Sequence, residues 1–155
     1  MRGRKPIRLT LIAAIVAVTV TAAYGHVTVR PMESTAGASE KYTMRVPTEK
    51  NVPTVRIEIQ FPDAVTVSSI EPKAGWKIEE KKSGSGKIVN AILSGGSIPP
   101  RETAEFYFTA RNPDEETALS WKVIQIYEDG TKSEWVDVGG RSPASVTFIR
   151  KAATR

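Results

Sequence analysis

From residue 26 onwards, apolar and polar residues alternate in short runs bounded by turn signals, the period of half-buried β-strands. In 55–61, Val55, Ile57, Ile59 and Phe61 point one way, while Arg56, Glu58 and Gln60 point the other. In 105–110, Phe106 and Phe108 share a face. The pattern predicts ten short strands over 26–30, 42–46, 55–61, 65–70, 76–80, 87–93, 105–110, 119–127, 133–138 and 145–149, and no helix. The longest run, 119–127, has Trp121 and Val123 on one side and Ile124 and Ile126 on the other, as a central strand buried on both faces would. Turn dipeptides separate the runs: Pro62-Asp63, Ala74-Gly75, Asp129-Gly130 and the stretch Ser83-Gly84-Ser85-Gly86. Pro31, Pro53, Pro62, Pro72, Pro99, Pro100, Pro113 and Pro143 fall in connections, where they interrupt no ladder. Regularly spaced short strands in a domain of this size predict an all-β chain, a single immunoglobulin- or cupredoxin-like β-sandwich.

The first 25 residues break this pattern. Residues 1–8 (MRGRKPIR) are basic, and residues 9–23 (LTLIAAIVAVTVTAA) form an apolar run of signal-peptide length. Ala23 and Gly25 occupy positions −3 and −1 of a cut before His26. The expectation is a signal peptide over 1–25, a β-sandwich domain over 26–149 and a short basic tail over 150–155. The mature protein is expected outside the cytoplasm, secreted or periplasmic, without a transmembrane anchor, because no second apolar stretch reaches spanning length.

Charge supports this division. The formal net charge is +5. Four basic residues lie in 1–25 and three in 150–155, and neither segment holds an acid. The remaining 26–149 carries 15 basic and 17 acidic residues, a net charge of −2. A basic stripe able to track phosphates is absent from the predicted domain, so nucleic acid is not an expected partner.

Two residue counts narrow the chemistry. The chain has no cysteine, which excludes disulfides, thiolate metal sites and a catalytic cysteine. It has one histidine, His26, which lies immediately after the predicted cut. Cleavage there frees an α-amine, a group that titrates near ~7.7. Amine and imidazole Nδ1 of one N-terminal histidine can then chelate one metal in a six-membered ring. Binding requires both nitrogens deprotonated and therefore weakens in acid. Two nitrogens in one plane suit Cu(II), which favours tetragonal N/O ligation. With no second histidine and no thiolate, an oxygen ligand is the natural third donor. Glu33, Glu40, Glu49 and Glu134 are candidates that spacing alone does not separate.

Five segments together carry a resemblance: HVTVRP at 26–31, EKYTMRVPTEKNVPT at 40–54, EPKAGWK at 71–77, FTARNPDE at 108–115 and DGTKSEW at 129–135. In order and spacing they resemble the YcnI family of exported copper-binding proteins, across essentially the whole predicted mature chain. The resemblance implies a monohistidine brace, with Cu(II) held by the amine and Nδ1 of His26 and by a glutamate carboxylate. It assigns that carboxylate to Glu49, with Glu40 and Glu33 as fallbacks, and sets Trp135 close to the metal. It implies a copper carrier or chaperone in copper acquisition or homeostasis, working with a membrane copper transporter or another copper protein. Trp76 and Trp121 are read as core residues. Some members of the family add a membrane anchor or a second copper domain; neither is expected here.

Two other functional classes remain in view. An oxidative copper enzyme of the histidine-brace kind needs a second histidine, so no enzyme is expected. A metal-free extracellular β-sandwich interaction module is the alternative should His26 lie inside the mature chain.

Overall fold

The computed structural model describes residues 25–153. The expected signal segment, apart from Gly25, and the last two residues of the expected tail lie outside the described residues. Eleven strands are present: β1 (Thr28–Arg30), β2 (Glu33–Thr35), β3 (Ser39–Pro47), β4 (Thr54–Gln60), β5 (Thr66–Ile70), β6 (Lys77–Lys82), β7 (Ile88–Ile98), β8 (Thr103–Arg111), β9 (Thr117–Tyr127), β10 (Lys132–Trp135) and β11 (Ser145–Arg150). Among the described residues there is no helix.

The strands pair in the order β1-β3-β8-β5-β7-β4-β9-β11-β2, with β6 added to β7 and β10 to β9. One layer is β1-β3-β8-β5 and the other is built around β7-β4-β9. They join at one side through the single Val67↔Ile88 pair of β5 and β7. At the other side the Ser145 hydroxyl bridges to β1, accepting from the Val29 N–H (2.8 Å) and lying 3.3 Å from the Val29 carbonyl. The result is a nearly closed β-sandwich, as the pattern predicts.

Alternation decides which side chains fill it. The core face of β9 buries Leu119, Trp121, Val123, Gln125 and Tyr127. Tyr42 and Phe108 stack at 5.4 Å between ring centroids, and Trp121 tilts against both. Phe61 meets Phe108 edge-on. Such ring pairs add about 0.5–1.5 kcal/mol each beyond their area burial. β9 has partners along both edges, so it is a central strand.

The structure departs from the pattern in several places; β10 stops at Trp135, three residues short of the expected end at 138, and β3 begins at Ser39, three residues before the expected start at 42. β2 has no apolar alternation and was not predicted; it pairs with β11 in parallel and is tied down by side chains. Residue 55 lies at a register shift between Thr54 and Arg56, so Thr54 is buried and Val55 only half-buried. β7 runs five residues past its expected end, through Gly95 and Gly96, because Ser94 pairs with both Arg56 and Lys77 and Ile98 pairs with Thr54; a Cβ at Gly96 would run into the Trp76 indole. Trp76 thus packs half-buried on Gly96 and, at 5.1 Å, edge-on to Phe106. Arg150 belongs to β11 and lies 3.4 Å from Glu33, so the expected tail starts one residue later.

Candidate metal centre

β1 and β3 pair antiparallel with Thr28 opposite Arg45 and Val29 opposite Met44. Continuing that register past buried Val27 sets His26 beside Pro47, the last residue of β3. Glu49 follows two residues later, in the turn that leads to β4. The backbone N–H of Gly25 donates to Glu49 Oε1. The fit is tight: a Cβ on Gly25 would sit 2.8 Å from that oxygen and 3.0 Å from Pro47 Cγ.

The turn bearing Glu49 is fastened on both sides. Before it, Thr48 is buried; its N–H donates to the Glu102 carbonyl, its carbonyl accepts from Arg101 N–H, and its hydroxyl donates to the Ile98 carbonyl. After it, Lys50 Nζ donates to Thr131 Oγ1 at 2.8 Å and sits 4.4 Å over the Tyr127 ring. Thr131 is in turn held by Asp129, which accepts from its N–H and its hydroxyl. Glu49 projects exposed between these anchors.

Trp135 arrives from the opposite layer, at the end of β10, opposite Val123. Its ring centroid lies 5.3 Å from that of His26, with planes tilted by 59°. The indole N–H donates to Gln125 Oε1 at 3.2 Å. His26 is exposed and Trp135 half-buried, so the imidazole has one aromatic wall and one open side. Burial pushes the Tyr127 hydroxyl above its ordinary range, and the nearby Glu49 charge adds to this.

The structure therefore brings His26 near Trp135, and Glu49 onto the main chain just before His26. It leaves the other candidate carboxylates elsewhere. Glu40 accepts from the Ser34 hydroxyl at 2.5 Å and pairs opposite Ala110. It lies seven residues back along β3 from Pro47, about 23 Å at strand rise. Glu33 is paired with Arg150 on β2. Glu134 holds Lys132 at 2.6 Å, on the face of β10 opposite Trp135.

Among the described residues, no three His, Asp or Glu side chains cluster as a metal-binding group. A metal at His26 and Glu49 would thus draw further donors from the main chain. The donor set on offer is imidazole nitrogen, carboxylate oxygen and the nitrogen of residue 26, which is an amide in the uncut chain and an amine after a cut. Nitrogen and oxygen without sulfur fit Cu(II) better than Cu(I).

Sequence reasoning missed three buried polar residues behind this site, Gln125, Thr54 and Thr48. Gln125 was legible in principle, since alternation along β9 sets it on the same side as Trp121 and Val123, where a polar residue is unexpected.

Fold and site define an immunoglobulin-like β-sandwich with a histidine, a glutamate and a tryptophan gathered where its first strand begins. Residues 26–148 match the family described as a domain of unknown function, DUF1775, and the chain belongs to that family, which the sequence resemblance identifies as YcnI. It is 38% identical over 153 residues to the copper-binding protein CutI of Bacillus subtilis (strain 168), covering 96% of this chain and 75% of that protein. Among solved structures it is similar to an uncharacterized protein from Nocardia farcinica with an immunoglobulin-like fold (TM-score 0.71, 22% identity, 80% of this chain and 97% of that one). It is also similar to a cohesin module from a Clostridium perfringens family 33 glycoside hydrolase (TM-score 0.57, 14% identity, 83% and 98%).

Proposed function

We propose that this protein is an extracytoplasmic Cu(II)-binding carrier, exported by a cleaved leader, that takes part in copper acquisition or homeostasis. The metal is held by the amine and Nδ1 of His26 and by the Glu49 carboxylate. The observation that carries this reading is the contact between the Gly25 N–H and Glu49, one residue before a histidine whose ring lies against Trp135. In the uncut chain an amide N–H occupies the carboxylate, and the nitrogen of residue 26 is not basic. Cleavage before His26 removes Gly25, frees the carboxylate and turns that nitrogen into an amine. One step thereby supplies the amine donor and frees the carboxylate, beside an imidazole that is present throughout. The match of the family from residue 26 and the copper-binding name of the Bacillus subtilis relative support the same reading.

Copper is cargo here, and no catalytic step is assigned to the site. The open side of the imidazole suits transfer to a membrane copper transporter or another copper protein. Trp135 shields the other side and offers a weak cation–π contact.

Cu(II) titration of the protein starting at His26, beside a form with one extra residue in front, tests the proposal. The expected result is one-to-one binding in the first and its loss in the second. Glu49→Gln should weaken binding, and Glu40→Gln should leave it unchanged. Equal binding by the two forms would overturn the brace.

A further inference from the structure

The interior face of β9 is apolar or aromatic except at Gln125, which is fully enclosed. Both polar atoms of its amide have partners. Nε2 donates to the Pro47 carbonyl at 2.8 Å and to Thr54 Oγ1 at 2.6 Å, and Oε1 accepts from the Trp135 indole N–H at 3.2 Å. The orientation follows from the partners. A flipped amide would set NH₂ against the indole N–H and an oxygen against the Pro47 carbonyl, losing both bonds. The direction then propagates. Thr54 Oγ1 accepts from Gln125, and because the Thr48 hydroxyl spends its hydrogen on the Ile98 carbonyl, that of Thr54 goes to Thr48 Oγ1 at 2.7 Å. Thr48 in turn donates to the Ile98 carbonyl at 3.1 Å. All three residues are buried, and among the described residues no buried side-chain polar atom lacks a partner.

This chain joins the two halves of the site. At one end it grips Trp135, the wall of His26. At the other it grips Pro47, whose ring flanks Gly25, and Thr48, the residue before Glu49. The two halves come from different layers, Trp135 from β10 beside β9 and Pro47 from β3, and the Gln125 amide is bonded to both. A saturated polar network adds little net stability over a well-packed apolar one, but it admits a single geometry.

We propose that Gln125, backed by Thr54 and Thr48, is a positioning residue that locks the Trp135–His26 pair to the strand end carrying Glu49. This rests on the reading of His26 and Glu49 as copper donors. The test compares the protein starting at His26 with its Gln125→Met, Thr54→Val and Thr54→Ser variants. Met keeps the volume of Gln and removes every bond, Val breaks the chain in the middle, and Ser restores the hydroxyl. Cu(II) affinity, the Cu(II) electron paramagnetic resonance spectrum and Cu(II) quenching of tryptophan emission are read beside the thermal midpoint. Gln125→Met and Thr54→Val should bind Cu(II) about tenfold more weakly, the low end of what disturbing the surroundings of metal ligands costs, with a shifted spectrum, and Thr54→Ser should regain the wild-type values. Unchanged affinity and spectrum in folded Gln125→Met or Thr54→Val would overturn the proposal, even with a lowered midpoint. Should Gln125→Met not fold, Thr54→Val against Thr54→Ser decides. His26→Ala and Glu49→Gln, run alongside, separate the two readings. If they bind Cu(II) as well as wild type, the donor assignment fails; if they lose binding while Thr54→Val keeps it, only the positioning role fails.

Discussion

Tyr42 shows how a single polar group is accommodated in this interior. Its ring belongs to the core, while its hydroxyl donates to Asn112 Oδ1 at 2.5 Å. Burial, with the Glu40 charge second, pushes its pKa from 10.0 up to about 12. The folded state therefore holds this proton at a pH where the unfolded chain has released it. The stabilisation is complete below pH 10 and is lost progressively as pH rises from there towards about 12. Urea unfolding at pH 8 and pH 11 should show a falling midpoint, and Tyr42→Phe should flatten that fall. An equally steep fall in the variant would assign the alkaline limb to other groups, Tyr127 and Tyr107 first, both of which are raised. Glu40 and Glu49 differ at this same scale. Both sit near β3, but one is committed to Ser34 and the other to the main chain at Gly25.

At the scale of elements, β2 is the strand that sequence pattern does not reveal. Glu33, Ser34 and Thr35 offer no apolar face, and the strand exists because Asn112 reaches it from beyond β8. Asn112 Nδ2 donates to Ser34 Oγ and to the Thr35 carbonyl, both at 2.9 Å. Asn112→Ala would strand these groups and the Tyr42 hydroxyl. A cost of about 2–3 kcal/mol is expected, with the N–H groups of β2 losing hydrogen-exchange protection before those of β9. Uniform loss of protection would refute a local tether. β9 was legible because both its faces repeat with period two. The register shift at residue 55 was not, since it depends on β4 fitting β7 and β9 at once. The extension of β7 likewise depends on its pairing with β4 and β6. Charges on the exposed strand β6 pair along the strand, Lys77 with Glu79 at 2.8 Å, and such surface pairs contribute little. They keep an edge strand in water rather than against another chain.

On the scale of the whole molecule, the proposed site lies where the first strand starts, so the position of the cut determines whether it exists. Intact-mass measurement of the exported protein should give a chain beginning at His26. A start at any other residue would remove the amine from the imidazole and abolish the chelate. Alternation, the lone histidine and the apolar run before it were enough to determine the all-β class and most strand positions and to point to the residue that begins the proposed site, because these depend on local period and residue identity. The VPTEKN segment at 46–51 points to Glu49 only through a family resemblance, and spacing leaves it level with Glu40 and Glu33. Tertiary structure alone decided which carboxylate meets the chain before His26, that Trp135 from the far layer walls the imidazole, and that Gln125, Thr54 and Thr48 link them. Those relations arise across strand registers and between two layers, where residues distant in sequence meet, and no local pattern encodes such a meeting.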